Sequence, residues 1–184
     1  MGNEASVRVS LPGGGPRPVV RAPATVLSTP CEPVNPTAAE TVRLAEDLAA
    51  TMRVSPGCVG LAAPQIGVGL QVFAVDVTGH PKTRTCHGLL VLCNARIVAA
   101  SQWHKGREGC MSVPDLTGDV KRAGRLVVAG QLPGTGEDVE FSTNAFEARA
   151  LQHEIDHCAG LIFLDRVTGA DAVYARKVYQ PPRG

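Results

Sequence analysis

LQHEIDHCAG, residues 151–160, contains two histidines four positions apart with a glutamate directly after the first. The segment is predicted to be helical, and on a helix the positions i and i+4 lie on the same face. His153 and His157 can therefore bind one metal ion, while Glu154 can reach a water molecule on that ion without being a ligand. The alternative is an amphipathic helix with two partly buried histidines, but the complete H-E-x-x-H pattern favours a metal site.

The third ligand has to come from elsewhere in the chain, because a catalytic metal site uses three protein ligands and keeps one position open. Downstream of His157 the sequence has no histidine and no glutamate, and its only acids there are Asp165 and Asp171. The best upstream candidate is Cys110 in GREGCMSVP, a glycine-flanked and turn-like stretch where the backbone can approach an ion. The other five cysteines lack such a setting.

The helices are expected near the two ends of the chain, in segments 37–54 and 144–160. The pairs with the spacing of an N-terminal capping box are Thr37 with Glu40 and Asn144 with Glu147. Gly160 is expected to end the second helix. The positions of the first helix that should face the core are Val42, Ala45, Leu48, Ala49 and Met52.

Four segments between the helices have the pattern of strands: 70–77, 89–99, 125–132 and 137–141. Because the strands stand in the middle and the helices at either end, the sequence predicts an α+β fold and not an alternating doubly wound sheet. A chain of 184 residues is long enough for one domain with a real core. Residues 1–17 are rich in Gly, Pro and Arg and predict a flexible arm.

Composition argues against several classes of function. The 18 Lys and Arg residues nearly balance the 17 Asp and Glu residues, which gives no reason to expect specific nucleic-acid binding or an acidic membrane partner. Only 4% of the residues are aromatic, which disfavours a base-stacking surface. No apolar run approaches the ~18 residues of a membrane span, and the N-terminus lacks the apolar core of a secretory signal. We expect a protein of a reducing cytoplasm with free thiols.

Three blocks, in this order, resemble the peptide deformylases of bacteria and organelles: GCVGLAAPQIG at 57–67, EGCMSVP at 108–114 and QHEIDHCAGLIFLDR at 152–166. The resemblance covers 18–167, which we take as the catalytic domain, with 168–184 as a C-terminal extension of it. It implies a peptide-deformylase-like α+β fold, with antiparallel and mixed sheets packed around a central metal-bearing helix. It also implies a metal-dependent hydrolase that removes the formyl group from N-formylmethionine of newly synthesised proteins.

The same resemblance implies roles for individual residues. The implied metal ligands are Cys110, His153 and His157. Glu154 is implied to be the catalytic acid and base, and the Gln65 side chain and the Met111 backbone N–H are implied donors to the developing oxyanion. One thiolate and two imidazoles suit several divalent ions, of which the family implies Fe²⁺ as the native one, with Zn²⁺, Ni²⁺ or Co²⁺ also accommodated.

The implied substrate is an N-formylmethionyl nascent peptide, bound in extended form as an added strand. Its backbone is expected to pair with Val59 and Gly60 on one side and with Gly109 on the other. The methionine side chain needs an apolar slot, for which Val59, Ala150 and the edge of the His153 ring are candidates. A transient contact with the ribosome follows from the same resemblance, as does a bacterial-type cytoplasmic location in preference to an organelle.

The resemblance also implies an ion pair of Glu108 with Arg122 that braces the loop of Cys110. The chain departs from the family pattern at three positions. Cys58 stands where the family often has glycine, so its side chain is expected either to crowd the peptide strand or to alter the slot for the methionine side chain. Thr117 stands where many relatives have arginine, and Met111 replaces the usual leucine without loss of its backbone N–H.

Two other functions compete with deformylation. The first is a zinc peptidase of the H-E-x-x-H type, which is disfavoured because the sequence offers no downstream histidine or glutamate ligand. The second is an inactive homologue stabilised by its metal, which is disfavoured because all four groups of the proposed centre are present. Formate release from a formylated peptide separates both of them from a deformylase.

Overall fold

The computed structural model describes residues 11 and 13–178 of the chain. Within this part the protein is built from one six-stranded sheet, two α-helices and four short 3₁₀ turns. The strands are β1 (Gly60–Ala62), β2 (Val72–Val75), β3 (Leu90–Cys110), β4 (Val113–Gln131), β5 (Asp138–Asn144) and β6 (Val173–Ala175). The helices are α1 (Ala39–Val54) and α2 (Ala145–Cys158). The predicted α+β class is confirmed.

The sheet has the order β1-β2-β3-β4-β5, and β6 pairs with β4 beyond this path. Every pair of named strands is antiparallel. Strands β3 and β4 form a long hairpin whose turn consists of Met111 and Ser112, since Cys110 stands opposite Val113. Both strands extend well beyond the predicted segments. The part of β3 that was not predicted is mostly exposed, and the corresponding part of β4 mixes charged residues and glycines with buried apolar ones. Neither part contains a continuous apolar run.

Helix α2 packs against the centre of the sheet. Its inward face joins the largest apolar cluster, where Ala148 and Leu151 are fully buried next to the side chains of Phe73 and Leu90. Gln152 fixes the helix further, because its side-chain amide donates to the Ala123 carbonyl and accepts from the Ala123 N–H at 2.9 and 3.0 Å. This contact fixes the position of the helical turn with the two histidines relative to Ala123 of β4.

Helix α1 covers a second apolar cluster, against β2 and β3. Of its predicted core positions Val42 is only half-buried, whereas Leu44, which was not predicted, is buried. Neither predicted capping box forms. Helix α1 begins at Ala39, so Thr37 lies too early and bonds to Asn35 instead. No helix in the described part of the chain has the length and apolarity that a membrane crossing requires.

The cap pair predicted for α2 is prevented by tertiary contacts. Asn144 does occupy the N-cap position, but its side chain makes no capping hydrogen bond. The Glu147 carboxylate instead accepts from the His87 backbone N–H at 2.8 Å and from the Thr143 hydroxyl at 2.7 Å. Because these two donors already bind the Glu147 carboxylate, it does not form the hydrogen bond to the helix N-terminus that a capping box requires.

The ends of the described chain return to the domain. Leu11 is buried in the second cluster, and Arg17 pairs with Asp47 of α1 at 3.1 Å, so this part of the predicted arm lies against the helix. The rest of the arm, residues 1–10 and 12, lies outside the described residues. At the other end β6 adds a short strand to the edge of β4 and carries the chain back toward the tip of the β3–β4 hairpin.

Gly160 ends α2, as predicted, with a φ of +76°. A Cβ at this position would meet the backbone of Thr29 and Pro30 at 2.7 Å. We expect Gly160→Ala to lower the free energy of unfolding by about 2–3 kcal/mol, because it combines a left-handed backbone with overlap onto rigid backbone atoms. Urea unfolding measures this.

The matched control is Gly69→Ala, because a Cβ there has no neighbour within 4 Å. We expect this variant to stay within about 0.5 kcal/mol of the parent protein. Equal stability of the two variants would show that the end of α2 is not fixed against the segment at 28–30.

Candidate active site

The tip of the β3–β4 hairpin meets the middle of α2 at a buried cluster of three side chains. Cys110 is the last residue of β3, and His153 and His157 lie one helical turn apart on α2. One potential ligand atom from each of them lies within 4.8 Å of the other two. The Cys110 Sγ is 3.3 Å from the His157 Nε2, and the centroids of the two imidazole rings are 4.9 Å apart. The structure thus brings together the three side chains that the sequence suggested as ligands.

The donor set fits a divalent ion. Bonds of about 2.3 Å to sulfur and 2.1 Å to nitrogen in tetrahedral geometry place ligand atoms about 3.4–3.6 Å apart. The Cys110 Sγ and the His157 Nε2, 3.3 Å apart, are close to this separation. The Nδ1 of His153 is bonded to the Glu108 carboxylate at 3.0 Å, which directs the other ring nitrogen toward the cluster. Two imidazoles and one thiolate suit Zn²⁺ and the late first-row metals.

The charges of the cluster favour a thiolate. Burial alone would raise the pKa of the Cys110 thiol, but the facing imidazoles of His157 and His153 outweigh this and hold the pKa well below its ordinary value. Burial likewise opposes the charged form of His153, yet the bonds to Cys110 and Glu108 raise its pKa. Without a metal the cluster therefore resembles a thiolate–imidazolium pair, and a divalent ion would take the place of the proton between them.

Glu154 lies beside the cluster with a carboxylate that is almost completely buried. Its Oε2 has no hydrogen-bond partner among the described residues, which is a costly arrangement unless a ligand or water completes it. Its Oε1 fills the space over Gly60, where a Cβ would lie only 2.3 Å from it. Burial raises the pKa of Glu154 to about 7, so this carboxyl can both take up and return a proton near neutrality.

Gln65 is buried, not part of a surface turn. It stands in the 3₁₀ turn Ala63–Ile66, where its Oε1 accepts from the Ala62 backbone N–H at 2.9 Å. This bond settles the orientation of the amide and directs its Nε2 toward the Cys110 Sγ at 3.2 Å and the Ser112 Oγ at 3.3 Å. The amide N–H groups therefore point at the cluster, as an electrostatic donor to a reacting group has to.

A cavity of about 580 Å³ opens from the cluster to the surface. The lining residues that the sequence had singled out are Cys58, Val59, Gly60, Gln65, Glu108, Gly109, Cys110, Met111, Thr117, Ala150, His153 and Glu154. One wall follows β1 and the residues before it, and the opposite wall follows the end of β3. The floor is formed by α2, so the cavity is a cleft between two strand edges.

A buried ionic network connects the tip of the β3–β4 hairpin to α2. Arg122 of β4 donates to both carboxylate oxygens of Glu108, at 3.0 and 3.1 Å, and also pairs with Asp156 of α2. The two residues predicted as an ion pair are therefore in contact. Burial disfavours the Glu108 carboxylate, but the bonds from His153 and Arg122 prevail and hold its pKa far below the usual range.

Sequence reasoning missed several members of this network. Arg149 donates to Glu108 at 2.8 Å, and Arg166 pairs with Asp156 at 2.9 Å. Arg149 precedes His153 by four residues, so the helical spacing that connected the two histidines also places Arg149 on their face. The contact of Arg166 with Asp156 depends on the turn that follows α2, and no pattern in the sequence indicates it.

The departure at Cys58 has a local structural consequence. Cys58 lies two residues before β1, and its thiol donates to the Gly60 carbonyl at 3.1 Å. Burial raises its pKa to about 12, with a further contribution from the charge of Glu154, so the group is a neutral thiol. It narrows the cavity at the wall where the sequence predicts contact with the peptide backbone.

Comparison with known proteins gives one consistent family. The profile of the polypeptide deformylase family matches residues 16–172. A peptide deformylase of Symbiobacterium thermophilum is 40% identical over 150 residues, which cover 82% of this chain and 66% of that protein. Peptide deformylase 1 of Bacillus cereus is 41% identical over 150 residues, or 82% and 91% of the two chains. The crystal structure of a class I type b peptide deformylase from Acinetobacter baumannii, bound to Met-Ala-Ser, is similar with a TM-score of 0.75 at 32% identity, covering 82% of this chain and 99% of that one.

The buried network makes a direct prediction about stability. Arg122→Met removes the cation between two buried carboxylates and leaves both without their main partner, so we expect a loss of about 3–5 kcal/mol. Arg107→Met is the matched control, because Arg107 pairs with Asp119 at 2.7 Å on the surface, with 45% and 28% of the two side chains exposed. We expect a loss of about 1 kcal/mol or less there. Urea unfolding at neutral pH compares the two variants, and equal losses would contradict the role given to Arg122.

Proposed function

The chain belongs to the peptide deformylase family, and from this premise we propose that it hydrolyses the formyl–nitrogen bond of N-formylmethionine at the start of new polypeptides. Membership of the family makes it a hydrolase. The finer proposal assigns one divalent ion to Cys110, His153 and His157 and proton transfer to Glu154. The observation that carries it is the coincidence of a compact sulfur–nitrogen donor set with an unpartnered, buried carboxylate oxygen in one cavity.

When bound, the ion supplies Lewis acidity to a water molecule and to the formyl carbonyl group. Glu154 accepts a proton from the water molecule as the water oxygen attacks the formyl carbon. The same carboxyl then gives the proton to the nitrogen as the C–N bond breaks, so that formate and a free methionine amino group leave. The Gln65 amide and the Met111 backbone N–H donate to the oxygen on which negative charge develops.

The peptide is proposed to bind as an additional strand in the cleft. Strand β1 is the terminal strand of the sheet, and β2 pairs with β3 only from Leu90 to Cys93, so the edge of β3 near Gly109 faces the cavity without a neighbouring strand in the sheet. An extended backbone between these two edges pairs with Val59 and Gly60 on one side and Gly109 on the other. Such binding reads backbone groups and tolerates varied sequences after methionine.

The methionine side chain is proposed to lie in the apolar part of the cavity formed by Val59, Ala150 and the His153 ring. The relative from Acinetobacter baumannii, whose crystal structure contains Met-Ala-Ser, supports a peptide that begins with methionine in this fold. A formyl carbon carries only hydrogen beside its oxygen and nitrogen, so a narrow site accepts it and rejects larger acyl groups by steric overlap. The Cys58 side chain occupies space in the cavity that a glycine at this position would leave open.

The peptidase alternative finds no ligand where it needs one. Asp165, one of the two acids after α2, is exposed and its carboxylate accepts from the Ile162 backbone N–H at 2.8 Å. Asp171 is exposed as well. The sulfur of Cys110 instead stands 3.3 Å from His157, which supports the deformylase arrangement of ligands.

The remaining assignments are proposals from family membership. We propose Fe²⁺ as the native ion, with Zn²⁺, Ni²⁺ or Co²⁺ able to replace it, because two imidazoles and one thiolate accept each of these ions. The bacterial origin of the relatives supports a cytoplasmic location, where formylated nascent chains arise. A transient contact with the ribosome is proposed on the same basis.

Glu154→Gln tests the proposed proton transfer. The substitution keeps the shape of the side chain and removes its ability to accept a proton, so we expect formate release from formyl-Met-Ala to fall by about 10²–10⁴-fold. Metal content should stay near that of the parent protein, because Glu154 is not a proposed ligand. Elemental analysis and a formate assay after anaerobic Fe²⁺ loading measure the two properties.

Cys110→Ala is the companion variant and is expected to lose both the metal and the activity. Undiminished formate release by Glu154→Gln would contradict its assigned role. Cleavage of internal peptide bonds by the parent protein, without formate release, would favour the peptidase instead.

A further inference from the structure

The charged side chains of the cavity are unequally distributed. Four basic residues line it, Lys82, Arg107, Arg149 and Arg176, against two acidic ones, Glu108 and Glu154. Both acids belong to its inner end, where Glu108 is bonded to Arg122 and His153 and Glu154 stands beside the ligand cluster. Of the basic residues, Arg149 donates to Glu108 and Arg107 pairs with Asp119. The outer part of the cavity, where residues after the methionine would lie, also contains the side chains of Lys82 and Arg176.

We propose that this outer part contains an anion subsite, centred on Arg176, that binds a side-chain carboxylate on one of the two residues after formylmethionine. The inference rests on the proposed function and names a class of substrate within it: formylmethionyl chains with an early Asp or Glu. The subsite is formed by the C-terminal extension, a part of the chain outside the three sequence blocks that indicated the active site.

The backbone around Arg176 determines where its side chain can reach. Strand β6 ends at Ala175, one residue earlier, and its Tyr174 stands opposite Thr117 of β4. Thr117 in turn stands opposite Gly109 of β3. The Arg176 backbone N–H donates to the Asp115 carbonyl at 2.8 Å, which fixes the chain direction as it leaves the sheet.

From this position the Arg176 side chain crosses β4 and arrives at the proposed peptide-binding edge. Its Nη2 donates to the Cys110 carbonyl at 3.3 Å. A Cβ on Gly109 would lie 2.1 Å from the same nitrogen, so the guanidinium covers the face of Gly109 directly. The short Thr117 side chain leaves room for this passage, and its methyl group lies 3.4 Å from that Cβ position.

A peptide that pairs with Gly109 therefore runs past a guanidinium fixed at the cavity wall. In an extended chain successive side chains point to opposite faces, so one of the two residues after methionine is directed to the face on which Arg176 lies. A planar guanidinium binds carboxylates with two parallel hydrogen bonds, which makes Asp and Glu its best partners among peptide side chains. Lys82 on the Phe146 side of the cavity adds to the positive potential, with its Nζ 5.8 Å from the centre of that ring.

The test compares amidated peptides in which a glutamate side chain is the only carboxylate. The pairs are formyl-Met-Glu-Ala-amide with formyl-Met-Gln-Ala-amide, and formyl-Met-Ala-Glu-amide with formyl-Met-Ala-Gln-amide. We expect the parent enzyme to favour Glu over Gln by about fivefold or more in kcat/KM at one of the two positions, mainly through KM. The ratio is measured within one enzyme preparation, so differences in metal loading or folded fraction cancel.

Arg176→Gln is expected to bring this ratio close to one, while Arg176→Lys keeps part of it because the charge remains on a different head group. The matched control is Arg125→Gln, an exposed arginine of β4 outside the cavity, which should leave the ratio unchanged. If Arg176→Gln does not fold, the salt dependence of the parent enzyme decides: the preference should shrink as ionic strength rises to about 0.5 M.

A parent enzyme that treats Glu and Gln alike at both positions would overturn the subsite. A preference that persists in Arg176→Gln, or that does not respond to salt, would overturn the assignment to Arg176. Turnover of the Gln peptides is a separate measurement, and its complete absence would instead contradict the proposed deformylase activity itself.

Discussion

Arg122 lies buried between two carboxylates that belong to different parts of the fold, Glu108 near the end of β3 and Asp156 on α2. The arginine thereby joins the hairpin to the helix close to the cluster of Cys110, His153 and His157. A buried charge is tolerated only when it is fully paired, and here each of the three charged groups has at least two partners. The position of the sulfur relative to the imidazoles depends on this contact, because Cys110 follows Glu108 by only two residues.

The position of α2 in the fold places the proposed metal ligands directly beside the main core. Within about two turns the helix contributes Leu151 to the main core, Gln152 to a contact with the backbone of β4, and the two proposed ligands His153 and His157. Its neighbours have to leave room for the functional side chains. Gly60 has no Cβ, so that the carboxylate of Glu154 can lie over its backbone.

The sequence allowed the helices, the class of fold and the three potential ligands to be predicted, because each of these leaves a local pattern. Helical spacing connected His153 with His157, and glycines around Cys110 indicated a turn, which the structure places at Met111 and Ser112. The length of β3 and β4 was underestimated, because the missed part of β3 is mostly exposed and the missed part of β4 interrupts its apolar residues with charged residues and glycines. Both capping boxes were wrong, because distant partners compete for the same side chains.

The features that escaped prediction arise where segments far apart in sequence meet. The contact of Asp156 with Arg166 and the approach of Arg176 to Gly109 depend on the course of the chain after α2, which no short motif encodes. The groups proposed for the chemistry lie on α2 and at the hairpin tip, whereas the proposed substrate preference depends on the C-terminal extension.

The proposed chemistry depends on one ion bound by the sulfur of Cys110 and two imidazoles. X-ray absorption spectroscopy of the protein loaded with Zn²⁺ tests this most directly, because sulfur and nitrogen neighbours differ in distance and scattering. We predict one sulfur at about 2.3 Å and two imidazole nitrogens at about 2.0–2.1 Å from the metal. A first shell of nitrogen and oxygen alone, with no sulfur, would contradict the central claim.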